Sequence, residues 1–512
     1  MENGLAVGKL APIDVTIIVI YLLGITVLGS WIGRFIKNDE DFFLAGRRLP
    51  WWAIGMSMVV SDIGALELIG LCGAAWASGI MVANFDWIGC IPAMIIAAFI
   101  FIPYYYRAGV FTVPEFLGRR YNQFIRSLVA FIWGTFMIFM LGNFFYAAAS
   151  AMHELCGWEV WFSVLVIALV VGIYTFFGGL AAVVYLDSIQ CVILFAGSFM
   201  VLYKALHLVG GYGQLVETVG NMGEQFKDHF HLLPPADTPS IYSWSAILFG
   251  LTFVLSPAYW IGNQAIVQRN LGAKSEYDAK KSVLWGAFLK LFIPVILLGP
   301  GLAAVAMPFE IKGENYVYPT LMHQLLPPGM VGLVFAAFLA ALLSSVDSYL
   351  NSAATLWTKD IYQKFIRPNK SNRHYMWVGK WLTAAFVVLG VALYPVAANF
   401  KNIFEYMQTM LSIFQGPLFA IILLGMVWRR ANATGAMAGL FMGVLTSVSL
   451  FWVRPFIFLR GEQYLYQAWW GFVLAVLATV VVSLLTRSEP EEKIKGLVYS
   501  SIVKEKEGGD TK

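Results

Sequence analysis

Charged residues are scarce in this chain. Only 12% of its 512 residues are Asp, Glu, Lys or Arg, whereas about 25% are charged in an ordinary soluble domain. Hydrophobic residues make up 59%, and many form unbroken blocks of about 20 residues, the length that an α-helix needs to cross a bilayer. The block 161–177 is apolar on every side, which excludes the alternating pattern of a membrane β-barrel. The composition therefore excludes a soluble globular protein and predicts an all-α polytopic membrane protein.

Cysteine and histidine are also scarce. The four cysteines lie in or beside apolar segments and lack the paired spacing of a disulfide framework or a zinc ribbon. The six histidines fall at predicted helix ends or in loops, so general-base catalysis within the bilayer is not indicated. The net charge of +4 is too small to indicate a nucleic-acid-binding surface. We therefore expect a protein that is embedded in a lipid bilayer, is not an enzyme and binds no nucleic acid.

Hydropathy predicts about thirteen transmembrane helices. Their approximate cores are 12–34, 51–80, 83–106, 124–151, 159–177, 180–206, 243–268, 283–307, 328–357, 375–398, 402–428, 433–453 and 466–486. Short cytoplasmic loops carry an excess of Lys and Arg, and an outside N-terminus places 26 of the 34 Lys and Arg residues, Arg269 among them, on the cytoplasmic side. The sequence therefore predicts an N-out, C-in, multi-pass protein of the cell (plasma or inner) membrane.

Two of these helices carry residues that interrupt a helix. The second contains Asp62 and Gly64, and the seventh contains Pro257 and Gly262. Broken helices at membrane depth occur around cavities, and a pair at matching places in two halves points to a transporter's binding site. Each of these two helices is the first in a set of five. Because five is an odd number of spans, the second set begins on the opposite side of the membrane and is inverted relative to the first. We therefore predict an inverted 5+5 repeat.

This repeat divides the chain into six parts. They are a leading helix with its cytoplasmic loop (1–50), the first five-helix repeat (51–207), an extracellular loop (208–242), the second repeat (243–430), two peripheral helices (431–487) and a solvated cytoplasmic tail (488–512).

Ionisable residues at membrane depth mark a functional site by default, because a charge there is costly. The sequence places six in predicted helices: Asp62, Glu67, Asp86, Asp187, Lys290 and Asp347. Five acidic residues and one basic residue leave an excess of negative charge, which a bound cation would neutralise. Sodium, a hard ion, prefers carboxylate, hydroxyl and carbonyl oxygens, and Ser344 and Ser345 supply hydroxyls on the ninth helix.

Several motifs carry a family resemblance. They are 41–48 (DFFLAGRR), 112–121 (TVPEFLGRRY), 178–185 (GGLAAVVY), Gln264 with Gln268 and Arg269, and 350–353 (LNSA). In these the chain resembles the sodium/solute symporter family, and in particular its bacterial-type sodium/glucose cotransporter branch, from about Asp14 to Arg430. The resemblance implies an inverted-repeat fold of the leucine-transporter type, with one helix before the ten-helix core and two after it.

The resemblance also implies a sodium site at the break in the second helix. The ligands would be the backbone carbonyls of Val60, Ile63 and Ala341 and the hydroxyls of Ser344 and Ser345. Asp187 matches the acid that helps to form a second sodium site with the same serines in some members. The expected co-transported ion is therefore Na⁺, one or two per cycle.

For the organic substrate, the resemblance implies a set of polar and aromatic side chains that suits a sugar. The positions fall on Asp62, Glu67, Asp86, Lys290 and Gln408, with Tyr259 as the inner aromatic gate and Trp260 beside it. Carboxylates accept hydrogen bonds from vicinal hydroxyls, while Lys and Gln donate.

Three positions depart from the sugar branch. That branch has Asn at the position of Asp62, Gln or His at that of Glu67, and Asn at that of Ser256. Ser61-Asp62 instead resembles the sodium/proline symporter branch, in which the aspartate belongs to the sodium machinery, so Asp62 could serve either solute. Asp347 could likewise tune either ion site.

The resulting prediction is sodium-coupled import of a sugar or sugar-like polyol by alternating access. Alternatives are sodium symport of an amino acid, a monocarboxylate or a cationic or amino-substituted solute, and, more remotely, a sodium channel. The sequence indicates no oligomeric state.

Overall fold

The computed structural model describes residues 10–63, 65–233, 247–308, 310–311, 313–397, 403–457 and 463–499. Regular secondary structure in these residues is helical, apart from an isolated β-bridge between Leu49 and Ala273. The prediction of an all-α protein is confirmed.

The described residues of the first half of the chain form ten α-helices. They are α1 (Pro12–Ile32), α2 (Asp39–Leu44), α3 (Trp51–Asp62), α4 (Ala65–Ser78), α5 (Ile91–Ile96), α6 (Ile102–Ala108), α7 (Val113–Arg120), α8 (Gln123–Cys156), α9 (Val160–Leu208) and α10 (Tyr212–Gly220). The π-helical segments Phe85–Cys90 and Ala97–Phe101 extend α5 and α6 into one apolar span, 85–108.

The second half follows a π-helical segment, Ile247–Leu255. Its α-helices are α11 (Ser256–Gly262), α12 (Gln264–Leu271), α13 (Glu276–Lys290), α14 (Ile293–Val305), α15 (Val317–Leu325), α16 (Met330–Leu356), α17 (Asn372–Ala397), α18 (Ile403–Val427), α19 (Ala433–Ile457), α20 (Gln463–Leu485) and α21 (Glu491–Ile494). A further π-helical segment, Trp357–Ile366, continues α16.

Ten helices in the described residues are long and apolar enough to cross a membrane. One of them, α9, covers two predicted spans and kinks at Gly179, whose φ of 51° and ψ of −148° are not helical. A side chain there would collide with the carbonyl of Phe42, so glycine is needed at this kink. A bent pair, Trp51–Asp62 with Glu67–Ala83, and the shorter apolar segment Ile247–Gly262 also occur. The count of thirteen spans and the N-out topology stay predictions.

Both predicted helix breaks are confirmed. α3 ends at Asp62, and Ile63 has a non-helical backbone with φ −98° and ψ 88°. α11 ends at Gly262, and Asn263 is extended before α12 begins. The two halves of the second span are bent by 61° relative to each other. Each break leaves helix-end carbonyls and amides inside the bundle.

Helix α16 lies at the centre of the bundle. Its side chains from Val334 to Leu356 are all buried, and it packs against α1, α3, α8 and α9. The helices α19 and α20 pack on each other and on α18 at the periphery. The break in α3 therefore faces a central helix that is buried over most of its length.

The prediction of a solvated tail holds only in part for residues 489–499, in which Pro490, Glu491, Glu492 and Lys495 are exposed but two apolar side chains are not. Ile494 and Val498 are buried, and the ring of Tyr499 stacks on Tyr104 at 6.1 Å between centroids. Lys493 Nζ donates to the carbonyl of Tyr121. Helix α21 ends at Ile494, and the chain turns at Gly496, whose φ is 72°. Burial of the two apolar side chains on either side of this turn lets the short segment dock on the body despite its charged composition. The rest of the predicted tail, and the predicted outer loop after residue 233, lie outside the described residues.

Candidate functional site

A cavity of about 150 Å³ lies beside both helix breaks. Its walls come from α3, α4, α8, α11, α13, α16, α18 and the two π-helical segments Phe85–Cys90 and Ile247–Leu255. All of the sequence-predicted substrate residues line it: Asp62, Glu67, Asp86, Tyr259, Trp260, Lys290 and Gln408. Residues from both predicted repeats thus meet at one polar chamber inside an apolar bundle.

Lys290 is the charged centre of the cavity. Its ammonium pairs with the carboxylate of Asp62 and with Oδ1 of Asp86, the latter at 2.5 Å. Ser275 caps the start of α13 by accepting from the amide of Asp278 at 3.0 Å, and Lys290 is the last residue of that helix. A helix C-terminus favours a cation. The helix end and the two carboxylates therefore hold a lysine that is only 3% exposed.

Aromatic side chains cover much of the remaining wall. Tyr259 and Trp260 meet edge to face, with ring centroids 5.5 Å apart, and Phe85, Phe144 and Tyr349 also line the cavity. Flat apolar rings beside hydrogen-bonding groups suit a ligand with C–H faces and a polar rim.

Several lining residues were missed by sequence reasoning. Gln415 lies about two helical turns after Gln408 on α18, and both line the cavity. The Nε2 atom of Gln415 has no hydrogen-bond partner among the described residues. Tyr349 lies four residues after Ser345 on α16, and both line the cavity. Helical spacing from a predicted residue would have found all of these.

The predicted sodium residues also come together. Ser344 Oγ donates to the carbonyl of Val60 at 3.0 Å and to that of Ala341 at 3.1 Å. Ser345 Oγ lies 3.2 Å from the carbonyl of Ser61 and 3.3 Å from that of Ala341, and Ile63 lies at the break itself. Small hydroxyls on α16 thus face carbonyls at the broken end of α3. This donor set is the oxygen chemistry that a hard cation prefers.

Asp187 has a different environment from the one expected. Its Oδ2 accepts from Ser57 Oγ at 2.5 Å and from Ser61 Oγ at 3.1 Å, and Arg269 Nη2 lies 3.3 Å away. Arg269 also donates to Ser57 and Ser61, both at 2.6 Å. The bonds of Asp187 within the described residues therefore go to α3 and Arg269, and Ser344 and Ser345 are not among its hydrogen-bond partners there.

Arg269 corrects the sequence-based charge count. It was assigned to a cytoplasmic loop, yet it is fully buried on α12, the second arm of the broken seventh span. A count of Lys and Arg residues in predicted loops cannot find such a residue, because the short helix after the break lies inside the bundle. The set of ionisable residues that the sequence places at membrane depth therefore gains a second base, Arg269, beside Lys290.

Asp347 lies with this cluster rather than in the cavity wall. Tyr174 donates to its Oδ2 at 2.6 Å, and Ser348 Oγ lies 3.2 Å from its Oδ1. Ser348 in turn contacts Ser61 at 3.1 Å and Arg269. Asp347 is therefore connected to the ion-pair region of the bundle.

The broken helices, the polar cavity and the oxygen-lined α3–α16 contact together define a transporter with the leucine-transporter type of inverted-repeat fold. A solved structure of a Na⁺-coupled sialic acid symporter, in a substrate-bound outward-open state, superposes with a TM-score of 0.83 at 20% identity, covering 94% of this chain and 99% of that one.

Sequence comparisons then identify the family. The sequence model of the sodium:solute symporter family matches residues 42–443. The chain is 31% identical to a sodium/glucose cotransporter of Vibrio parahaemolyticus, covering 98% of this chain and 94% of that one. It is also 31% identical to sodium/myo-inositol cotransporter 2 of Oryctolagus cuniculus, covering 96% of this chain and 79% of that one. The chain belongs to the sodium:solute symporter family. It is a multi-pass membrane symporter that uses Na⁺ as the co-transported ion, and the family resemblance is confirmed.

Proposed function

We propose that this protein imports a sugar or sugar-like polyol together with sodium. The observation that carries the proposal is the meeting of five polar side chains in one cavity with an aromatic wall that includes Tyr259 and Trp260; the five are Asp62, Glu67, Asp86, Lys290 and Gln408. The names of the relatives, glucose and myo-inositol cotransporters, support the same substrate class. As these relatives are transporters, we assign no catalytic residues.

The cavity offers the hydrogen bonds that a polyol needs. Carboxylate oxygens of Asp62 and Asp86 accept from hydroxyls, and Lys290 and Gln408 donate to them. Hydrogen bonds that involve a charged group are the stronger ones. Tyr259 and Trp260 cover the C–H surface of the ring, and Tyr259 acts as the inner gate. In this assignment Asp62 serves the substrate, because it pairs with the cavity lysine.

We assign sodium to the contact between α3 and α16. Its ligands are the carbonyls of Val60, Ile63 and Ala341 and the hydroxyls of Ser344 and Ser345. Sodium bound there holds the broken end of α3 against the central helix. Since α3 also carries Asp62, ion binding orders the substrate cavity, and by linkage the substrate raises sodium affinity by the same factor. Asp187, bonded to Ser61 beside this contact, is the candidate for a second ion.

Transport follows as alternating access around the cavity. The two repeats rock relative to each other, and Tyr259 releases the substrate inward. Each sodium ion that crosses a potential of 100 mV contributes about 2.3 kcal/mol. This is enough for more than tenfold accumulation of a neutral solute.

Reconstituted uptake tests the proposal directly. The full chain in liposomes with an inward sodium gradient is expected to accumulate labelled glucose, galactose or myo-inositol, and to stop when the gradient is collapsed or sodium is replaced by potassium. Proline, pyruvate and choline serve as competitors. Uptake that only proline, pyruvate or choline inhibits would overturn the assignment of a sugar or polyol.

A further inference from the structure

A second cavity, of about 410 Å³, lies away from the substrate cavity and shares no lining residue with it. Its walls come from the end of α1, the segment after it, α2, the turn after α2 and the part of α9 that follows the kink at Gly179. All but two of the described residues that line it are apolar or aromatic, and the two exceptions are Asp41 and Arg48. A mostly apolar cavity with a few polar groups is the usual form of a ligand site.

The apolar wall of this cavity opens toward the bilayer. Leu28, Trp31 and Phe35 line the cavity and are 37%, 47% and 59% exposed, and the two aromatic rings meet edge to face at 5.4 Å between centroids. These residues lie in the last turns of the apolar span Pro12–Phe35. Their exposed faces therefore meet lipid near one membrane surface, where aromatic side chains are enriched, and an acyl chain can lie along them.

Basic side chains identify that membrane surface. Arg34, Lys37 and Arg48 are all exposed around this end of α1, and the positive-inside rule places them on the cytoplasmic side. The charged end of the cavity thus lies at the depth of the lipid headgroups of the cytoplasmic leaflet. A lipid of that leaflet is a molecule that reaches both the apolar wall and the charged end.

The charged end holds one carboxylate and one guanidinium that are not paired with each other. Oδ2 of Asp41 accepts from the amide of Lys37 at 3.1 Å, and Oδ1 has no hydrogen-bond or ion-pair partner among the described residues. The guanidinium of Arg48 likewise has no partner in the part of the chain that the structure describes. Because Asp41 is only 8% exposed, a ligand in the cavity is a better partner for Oδ1 than bulk water.

Gly46 keeps the space between these two charges open. A side-chain carbon on Gly46 would lie 2.7 Å from Oδ1 of Asp41 and 3.3 Å from Nε of Arg48, so a small ligand group beside Gly46 is within reach of both. The φ of Gly46 is 60°, a left-handed conformation that other residues rarely adopt. The turn after α2 therefore presents an acidic and a basic group across one open gap.

We propose that this cavity binds a glycerophospholipid whose headgroup joins a phosphate to a primary ammonium. The ammonium donates to Oδ1 of Asp41, and Arg48 donates to the phosphate oxygens. One acyl chain follows Leu28, Trp31 and Phe35 along α1. A lipid with a phosphate and no ammonium meets like charge at Asp41, and a quaternary ammonium has no N–H to donate, so the paired charges select against both.

Lipid retention by the wild-type protein tests the proposal. The full chain is purified in detergent and incubated with an equimolar mixture of phosphatidylethanolamine, phosphatidylcholine and phosphatidylglycerol that carry identical acyl chains. Native mass spectrometry then measures the bound lipid. We expect phosphatidylethanolamine to be retained roughly tenfold more than either of the others, the ratio that one added charge-assisted hydrogen bond gives. A photoactivatable acyl chain on the same lipid should label residues in 28–36 and 181–185.

Two variants ask whether the charged pair causes the preference. Asp41→Asn keeps an acceptor oxygen for the amide of Lys37 but removes the charge, so the ratio of phosphatidylethanolamine to phosphatidylglycerol should fall toward one. Arg48→Gln removes the phosphate contact, so retention of all three lipids should fall. Because the two variants act on different headgroup contacts, either one tests the site where the other does not fold.

Arg34→Gln is the matched control. Arg34 is exposed at the same end of α1 but does not line the cavity, so the ratios should stay at their wild-type values. Equal retention of the three lipids by the wild-type protein would overturn the proposal, because it would show only unselective lipid at the protein surface. Preferred retention of phosphatidylglycerol would overturn it in favour of an anionic headgroup. Ratios that neither Asp41→Asn nor Arg48→Gln changes would place the preferred lipid elsewhere.

Discussion

Arg269 and Asp187 form an ion pair inside the helix bundle, with Nη2 3.3 Å from Oδ2 and side chains that are 1% and 0% exposed. The same guanidinium donates to Ser57 and Ser61 on α3. A residue on the second arm of the broken seventh span is thereby tied to the second and sixth predicted spans. The pair joins both repeats beside the proposed sodium site.

Removal of one partner should destabilise the protein more than removal of both. Arg269→Gln leaves Asp187 buried without its cation, and breaking such a pair costs roughly 3–5 kcal/mol of unfolding free energy. The double variant Asp187→Asn with Arg269→Gln should recover more than half of this loss. Thermal unfolding of the purified variants in detergent measures the difference. Equal loss in the single and double variants would contradict an energetic coupling between the two charges.

Ser345→Ala should raise the sodium concentration needed for half-maximal uptake. The substitution removes a hydroxyl that faces the carbonyls of Ser61 and Ala341, and loss of one ligand is expected to cost about tenfold in sodium affinity. At saturating sodium, the KM for substrate should change far less. Ser447→Ala is the matched control, since Ser447 is also buried and donates to a backbone carbonyl, that of Gln467, but lies on peripheral helix α19. An unchanged sodium dependence in Ser345→Ala would show that the ion site is assigned wrongly.

Lys290→Met should have the opposite profile. It removes a hydrogen-bond donor from the substrate cavity and leaves Asp62 and Asp86 without their shared cation. Hydrogen bonds to charged groups contribute about 1.5–3 kcal/mol, so kcat/KM for substrate should fall by roughly ten- to a hundredfold, with a smaller change in sodium dependence.

The control for this variant comes from the same helix. Lys281→Met removes an ammonium that lies 3.9 Å from the ring centroid of Trp51, outside the cavity, and should leave kcat/KM near the wild-type value. The cavity assignment fails if Lys290→Met shifts the sodium dependence as much as it shifts kcat/KM.

Detachment of the C-terminal segment should expose the surface on which it docks. Ile494→Ala with Val498→Ala removes the two buried side chains that hold residues 489–499. Amide hydrogen exchange should then accelerate in 491–499 and in α7, whose end contacts Lys493 through Tyr121. The exposed neighbour Glu492 gives the control variant Glu492→Ala. Unchanged exchange in α7 would contradict docking of the tail in the membrane protein.

The sequence was sufficient for the parts of the protein that local pattern determines. Apolar blocks predict the helices, the interrupting residues at Asp62 and Gly262 predict the breaks, and the family motifs place the cavity residues. Arg269 could not be found in this way, because its burial depends on Asp187, which lies 82 positions away in the chain. The docked tail was missed for a related reason, since Ile494 and Val498 bury only against partners that the folded bundle supplies.

The structure indicates a substrate-binding role for Gln415, which the sequence did not predict. It lines the cavity, is 3% exposed, and its Nε2 has no hydrogen-bond partner in the described part of the chain. A buried amide without a partner costs about 1–3 kcal/mol, so a substrate hydroxyl that accepts from it recovers that cost on binding. Gln415→Leu should therefore raise the KM for substrate by roughly tenfold while it leaves the protein as stable as before or more stable.

The control for Gln415 is the neighbouring amide that does not reach the cavity. Gln467 is buried, and its Nε2 likewise lacks a partner among the described residues, but its Oε1 is bonded to Ser412 and it does not line the chamber. Gln467→Leu should change stability with little effect on KM, because no substrate atom meets it. If Gln415→Leu and Gln467→Leu alter melting temperature and KM alike, then Gln415 is a packing residue, and the hydrogen bonds to the substrate come from the other members of the cavity wall.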